Sequence, residues 1–308
     1  MTSDCGFSIA DCGLKDKTNE PESEICSLDL EQKKANDVVF SDDQGFTALQ
    51  KGIFRETGLD LSQYREKCLK RRIDVRLKAT GAQTYLEYTT VLKKDPAEYA
   101  RLLDALTINV SNFFRNKSTY RVIENTIIPE LVSLKKKQGK KIIRIWSAGC
   151  ASGEEPYSIG ILFNEILGKH ITDFLISIYG TDIDANILNK AKAAEYENNS
   201  VSEVEENILR RYFRYDGKYR LKDEITQMVK FKHHNLISDK PLTHMDVILC
   251  RNALIYFTRD LQQKLFETFY EGLNKKGYLI LGKTESLTGE PARMLQLVNA
   301  KERIYQKG

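Results

Sequence analysis

Histidine is scarce in this chain, and cysteine never appears in pairs. Four histidines stand among 308 residues. The adjacent His233-His234 would point to opposite faces of a strand, so no metal site is expected there. The six cysteines, Cys5, Cys12, Cys26, Cys68, Cys150 and Cys250, show no CxxC spacing. A chain of this length needs no covalent staples, and the cysteines read as reduced thiols of a cytoplasmic protein. No apolar run reaches membrane-spanning length, which argues against insertion. The opening residues lack the basic start and apolar centre of a secretory signal. A formal net charge of +4 is too small to imply nucleic-acid binding, so any basic patch must be argued locally.

What is present is concentrated at Lys141–Tyr157, KIIRIWSAGCASGEEPY. An apolar strand (Ile142, Ile143, Ile145, Trp146) breaks into a run of small residues and ends in two carboxylates and a proline. This order of strand, small-residue loop and helix start marks a nucleotide-cofactor site at the tip of a parallel sheet. Such a helix start usually cradles phosphate. Glu154 and Glu155 would repel it. They suit a positively charged cofactor without phosphate, as S-adenosylmethionine is. The plainer alternative is that both carboxylates only complement the helix dipole.

Along the chain, residues 1 to about 38 are polar, acidic and poor in aromatics, the composition of a disordered tail. Residues 39–106 read as a small helical domain. Phe46, Leu49, Ile53 and Phe54 recur at helical steps, and Gly58 ends that helix. Leu61–Lys78, Thr84–Leu92 and Pro96–Leu106 follow as three more. Residues 107–138 form a linker and a leading helix, Ser118–Lys137. From 139 to 308 strands (Ile142–Trp146, Phe174–Tyr179, Asp246–Cys250, Tyr278–Leu281) alternate with helices (Pro156–Leu167, Ala185–Ala194, Arg259–Asn274). This predicts an α/β fold with a mostly parallel sheet covered on both faces. Arg303–Gln306 could close it as an antiparallel edge. A compact antiparallel ribbon around Asp216-Gly217 is expected as an insertion at about 209–234.

The second sheet strand ends in Gly180-Thr181-Asp182-Ile183-Asp184. An acid there can accept hydrogen bonds from ribose hydroxyls, so Asp182 is assigned to ribose and Asp184 to the cap of the next helix. The fourth ends in Cys250-Arg251-Asn252-Ala253-Leu254-Ile255-Tyr256-Phe257. The D/N-P-P-aromatic motif of nucleic-acid amino-methyltransferases is missing from it, which counts against base methylation. Thr107–Asn116 alternates polar groups with Phe113 and Phe114.

Together, T-x-N-x-S-x-F-F-R, W-S-A-x-x-x-x-G-E-E-P-Y-S, D-I-D and C-R-N-x-x-I-Y-F resemble the bacterial chemotaxis receptor methyltransferases, the CheR family, over about Asp42 to Lys307. The resemblance implies a Rossmann-like class I S-adenosylmethionine-dependent methyltransferase domain after an all-helical, receptor-facing domain. It implies methyl transfer from S-adenosyl-L-methionine to glutamate side chains in the cytoplasmic helical domains of methyl-accepting chemotaxis receptors, by a monomer. Asn109, Ser111 and Arg115 would reach over the cofactor, and Glu155 would hold its amino-acid end. Asp182 would bind ribose, Asn235 and Leu236 would border adenine, and Arg251 and Asn252 would complete the pocket. Arg115 and Tyr256 would be the catalytic pair, and Arg72, Arg76 and Lys78 the receptor contacts on the basic second helix. Three features depart from the pattern. Ser111 stands where the family usually has threonine, which keeps the hydroxyl. Gly282-Lys283-Thr284-Glu285 stands where many members have G-H-S-E, and the ribbon around Asp216-Gly217 is short, which points to an enzyme independent of a receptor pentapeptide. A methyltransferase acting on RNA or a small molecule is the alternative.

The chemistry is consistent with so few histidines. A glutamate carboxylate has a reference pKa of about 4.3 and is already a nucleophile near neutral pH. The protein has only to align it.

Overall fold

The computed structural model describes residues 42–107 and 111–308. The acidic tail and Asn109 therefore lie outside the described residues. The first unit contains α1 (Asp42–Thr57), α2 (Glu66–Thr80), α3 (Tyr85–Lys94) and α4 (Pro96–Leu106). Its helix ends follow local chemistry. Gly81 takes the left-handed conformation that ends α2, Thr84 accepts from the Glu87 N–H, and Asp95 accepts from the Ala97 N–H beside Pro96. Leu49, Ile53, Ile73, Tyr88 and Leu102 are wholly enclosed between the helices. Phe54, expected on the same apolar stripe, is 53% exposed, because Phe46, Leu49 and Ile53 already fill the inward face.

The single helix expected over Leu61–Lys78 is broken. Leu61–Gln63 makes one 3-10 turn, and Tyr64 is extended. A tertiary contact overrides helix propensity here. Tyr64 bridges Phe257, the Arg65 N–H donates to Tyr256 O at 2.8 Å, and the Thr258 N–H donates to Gln63 O at 2.9 Å.

The leading helix runs as Lys117–Val122, a π-turn at Ile123–Ile127 and Ile128–Lys137. Pro129 lacks an N–H and crowds the carbonyl four residues back, so the ladder widens just upstream of it.

The large sheet contains β1 (Ile142–Ala148), β2 (Leu175–Asp182), β6 (Val229–His233), β7 (Met245–Cys250), β8 (Leu273–Leu281), β9 (Leu295–Asn299) and β10 (Ile304–Lys307), in the order β6-β2-β1-β7-β8-β10-β9. β1 pairs in parallel with β2 and β7, β2 with β6, and β7 with β8, while β10 runs antiparallel to β8 and β9. Strand period splits the core in two. Ile145, Val247 and Leu249 face one apolar cluster, and Trp146, Ile248 and Cys250 face the other. A helix, α5 (Glu154–Leu167), packs on the first face; α7 (Arg259–Gly272) packs on the second; α6 (Ala185–Ala193) follows β2.

The insertion differs from the expected 209–234. A small sheet of β3 (Glu195–Tyr196), β5 (Tyr219–Leu221) and β4 (Phe213–Tyr215) draws on residues upstream of that range. Val229–His233, expected in the ribbon, instead extends the large sheet, where Val229 and Phe231 pack on the first core.

Candidate active site

The order of the sheet reverses between β1 and β7. In open α/β sheets ligands bind outside the carboxyl ends of the strands at such a point. A cleft enclosing about 1090 Å³, part of it open to solvent, lies there. Its lining brings together Ser111, Arg115, Glu155, Asp182, Asn235, Leu236, Arg251, Asn252 and Tyr256.

The loop after β1 is shaped by backbone needs. Gly153 takes φ 91° at the start of α5, and a Cβ there would sit 2.9 Å from the Phe231 ring and 3.0 Å from Ala191 Cβ. Of the two carboxylates that follow, Glu155 faces the cleft. Glu154 does not line it. Glu154 is 1% exposed, accepts from Ser152 Oγ at 2.8 Å, and burial pushes its carboxyl up.

Glu155 and Arg251 form the inner wall. Ser147 Oγ donates to Glu155 Oε1 at 2.8 Å, and Arg251 Nη1 donates to Oε2 at 3.1 Å. Arg251 Nη2 also donates to Arg115 O at 2.8 Å and Asn116 Oδ1 at 3.0 Å. One guanidinium thus joins β7, α5 and the linker. Its Nε is buried with no hydrogen-bond partner among the described residues. The Tyr120 ring lies 5.4 Å from the Arg251 guanidinium carbon. The Tyr120 hydroxyl sits beside Arg251 and Ser158, yet makes no hydrogen bond of good geometry among the described residues.

On the β2 side, Asp182 accepts from the Ala151 N–H at 3.0 Å and the Asp184 N–H at 3.1 Å. Burial raises its pKa above 3.8, although these backbone bonds favour the charged form. Asp184 caps α6 through the N–H groups of Asn186 and Ile187. Asn235 Oδ1 accepts from the Ile237 N–H at 2.9 Å, which turns the chain so that Asn235, Leu236 and Ile237 line the cleft's outer wall.

The loop after β7 is held by a residue whose part the sequence did not disclose. Glu285, 4% exposed, accepts from the N–H groups of Asn252, Leu254, Ile255 and Gly282, at 2.7 to 3.2 Å. Asn252 itself takes φ 63°. Gly282 must lack a side chain, because a Cβ would stand 2.7 Å from the Glu285 carboxylate. Lys283, at the family's histidine position, donates to Ser118 Oγ at 2.7 Å and lies 3.4 Å from Glu302. Glu302 in turn accepts from Thr119 Oγ1 at 2.6 Å.

The three residues expected to meet a receptor are placed differently. Arg72 is not on the exposed face of α2: it is 7% exposed, its guanidinium carbon lies 4.3 Å from the centre of the Tyr256 ring, and Nη1 donates to Leu106 O. Its Nε and Nη2 are buried without a partner among the described residues. Arg76 makes a bidentate pair with the buried Glu98, at 2.8 Å for each bond. Lys78 is exposed. Among the described residues no group of three potential ligands is placed to hold a metal ion.

The lining fits S-adenosylmethionine. It combines carboxylate acceptors at Asp182 and Glu155 with two buried polar atoms, Tyr120 Oη and Arg251 Nε, that have no hydrogen-bond partner among the described residues. Comparison with known proteins agrees. The description "CheR methyltransferase, SAM binding domain" matches residues 109–304, and "CheR methyltransferase, all-alpha domain" matches residues 44–107. A chemotaxis protein methyltransferase of Listeria innocua is 36% identical over 236 residues, covering 76% of this chain and 87% of that protein. One from Borreliella burgdorferi is 30% identical over 268 residues, covering 85% and 95%. Chemotaxis protein methyltransferase 2 of Vibrio cholerae is 34% identical over 260 residues, covering 82% and 88%. With both parts matched in order and the cofactor cleft lined as described, the chain belongs to the CheR methyltransferase family and is an S-adenosylmethionine-dependent methyltransferase.

Proposed function

We propose that this enzyme methylates glutamate side chains of methyl-accepting chemotaxis receptors, giving glutamate methyl esters. The observation that carries the reading is the Arg72–Tyr256 stack beside the cleft: a buried cation with two donors unused, fixed against a cleft-lining tyrosine. A carboxylate is the group that accepts from such donors.

When bound, the cofactor supplies a methyl group activated by the sulfonium, so the acceptor needs no general base. Asp182 holds the ribose hydroxyls, and Asn235 and Leu236 border the adenine. Glu155 takes the ammonium. Arg251 and Tyr120 take the carboxylate of the amino-acid end. Ser111, Arg115 and Asn252 complete the enclosure. Arg115 holds one oxygen of the acceptor carboxylate while Tyr256 fixes its angle, and Arg72 offsets the repulsion between the incoming carboxylate and Asp182 and Glu155.

The receptor helix meets the exposed stripe Lys67, Arg71 and Lys78 on α2, which surrounds Val75, itself 59% exposed. Opposite charge at that surface speeds encounter and weakens with salt. The turn Asp216-Gly217-Lys218 between β4 and β5 is too short to present a long docking loop, which supports recognition without a receptor pentapeptide.

The test is transfer of labelled methyl to receptor-containing membranes, followed by mild base. Label released as methanol from receptor, and lost in Arg115→Ala and Tyr256→Phe while the folded proteins still bind S-adenosylhomocysteine, supports the reading. Base-stable label, or label in RNA, would remove it. Receptors trimmed of their last five residues should be methylated equally.

A further inference from the structure

The pole of the sheet opposite the cofactor cleft carries an unexplained surface. The turn before β1, β1 itself and the start of β8 bring Lys140, Lys141, Arg144, Lys275 and Lys276 around one hollow. Asp246 is the carboxylate in its lining, and it is already engaged by Lys135 at 2.7 Å, Asn274 Nδ2 at 2.7 Å and the Arg144 N–H at 2.9 Å. Among the described residues none of the five cations makes an ion pair. Five uncompensated charges gathered here exceed the formal net charge of +4 of the whole chain. Two segments far apart in sequence, Lys140–Arg144 and Lys275–Lys276, supply them, so the cluster is a product of the fold and not of a single lysine run.

Beside them the same pole exposes two apolar side chains. Ile142 and Leu175 are register partners at the starts of β1 and β2, 40% and 62% exposed, and the Leu175 N–H donates to Lys141 O. Both could have been polar at no cost to the core. A soluble polyanion would gain nothing from them. A bilayer would gain from both parts: lysines and arginine held near anionic headgroups, and an apolar tip reaching the acyl boundary.

We propose that this pole is a peripheral docking surface for an anionic phospholipid membrane. The cofactor cleft, at the other ends of the same strands, then faces away from the lipid. The protein needs no spanning segment for this, and no helix among the described residues is long and apolar enough to be one. The inference goes beyond methyl transfer and does not depend on which acceptor the cleft takes.

Co-sedimentation of the full chain with phosphatidylglycerol-containing vesicles, against pure phosphatidylcholine vesicles, tests it. Binding to the anionic vesicles alone, weakened by salt, is expected. The variant Lys140→Glu/Lys141→Glu/Lys275→Glu/Lys276→Glu should lose at least about tenfold in partitioning, and Leu175→Ser should lose a smaller part. Both should keep wild-type affinity for S-adenosylhomocysteine, which shows an intact fold and cleft. No binding to anionic vesicles at low salt, equal binding to neutral ones, or undiminished binding by the charge-reversed variant would overturn the proposal. So would tight binding of inorganic polyphosphate without vesicle binding, which would make the hollow a soluble-anion site.

Discussion

The Arg72 guanidinium carbon lies 4.3 Å from the centre of the Tyr256 ring, so the helical domain, whose Leu59, Tyr64 and Leu106 line the cleft, supplies one of its walls. This separates two groups of basic residues on one helix. Arg72→Ala should cut receptor methylation by at least about tenfold through loss of a buried cation–π and carboxylate contact, at low and high salt alike. Reversing Lys67, Arg71 and Lys78 to glutamate should weaken methylation at low salt and converge on wild type as salt screens the encounter. The same salt profile for both variants would merge the two groups.

Tyr120 offers the most direct measurement on the cofactor. Tyr120→Phe removes one hydroxyl and leaves the packing against Phe114 and Arg251. Its affinity for S-adenosylhomocysteine, by calorimetry, should fall by about ten- to a hundredfold, the worth of a hydrogen bond to a charged group. Affinity for methylthioadenosine, which has no amino-acid end, should not change. An equal loss for both ligands would assign Tyr120 to packing.

Acid should separate binding from stability at Asp182. Burial raises its pKa from 3.8, so a falling pH neutralises it while an unburied aspartate is still charged. Affinity for S-adenosylhomocysteine should fall with pH through that raised midpoint, and Asp182→Asn should be weaker and flatter over the same range. The stability contribution has the opposite sign. With the folded pKa above the unfolded one, it is fully present below the unfolded value and is lost as pH rises through the folded value. Asp182→Asn should therefore gain thermal stability relative to wild type as the pH rises toward neutral. A flat affinity profile for the wild type would show that the ribose does not rest on this carboxylate.

Glu285 should prove a positioning residue. Glu285→Ala strands four N–H groups in the loop that carries Asn252 and Tyr256, each costing about 1–3 kcal/mol if left unpaired. Lower melting temperature and lower cofactor affinity are expected together. Glu285→Gln keeps an acceptor and should rescue most of the stability, with turnover still reduced. Full turnover in Glu285→Gln would show that the loop does not need the charge.

Much of this could be read from residue order, and the failures share a cause. The strand-loop-helix at β1, the acid ending β2 and the Asp184 cap are local signals, set by neighbours in sequence. Arg72 is buried and Arg76 is paired with the buried Glu98, although the resemblance implies an exposed receptor-facing position for both. Leu69, Arg72, Ile73, Arg76 and Leu77 share one inward face at three- and four-residue steps, and that spacing could have placed both arginines inside. What no local pattern encodes is long-range pairing: the strand bridge that breaks the helix at Tyr64, the entry of Val229–His233 into the main sheet, and the reach of Glu285 across some thirty residues to the β7 loop.

The bridge at Tyr64 has a mechanical corollary. Gln63 and Arg65 are each stitched by main-chain hydrogen bonds to the segment that carries Tyr256, so the helical domain cannot swing aside as a lid without breaking the backbone attachments of Tyr256 itself. On the reading proposed above, the acceptor side chain therefore reaches the cleft between two parts of the chain that stay joined at this seam.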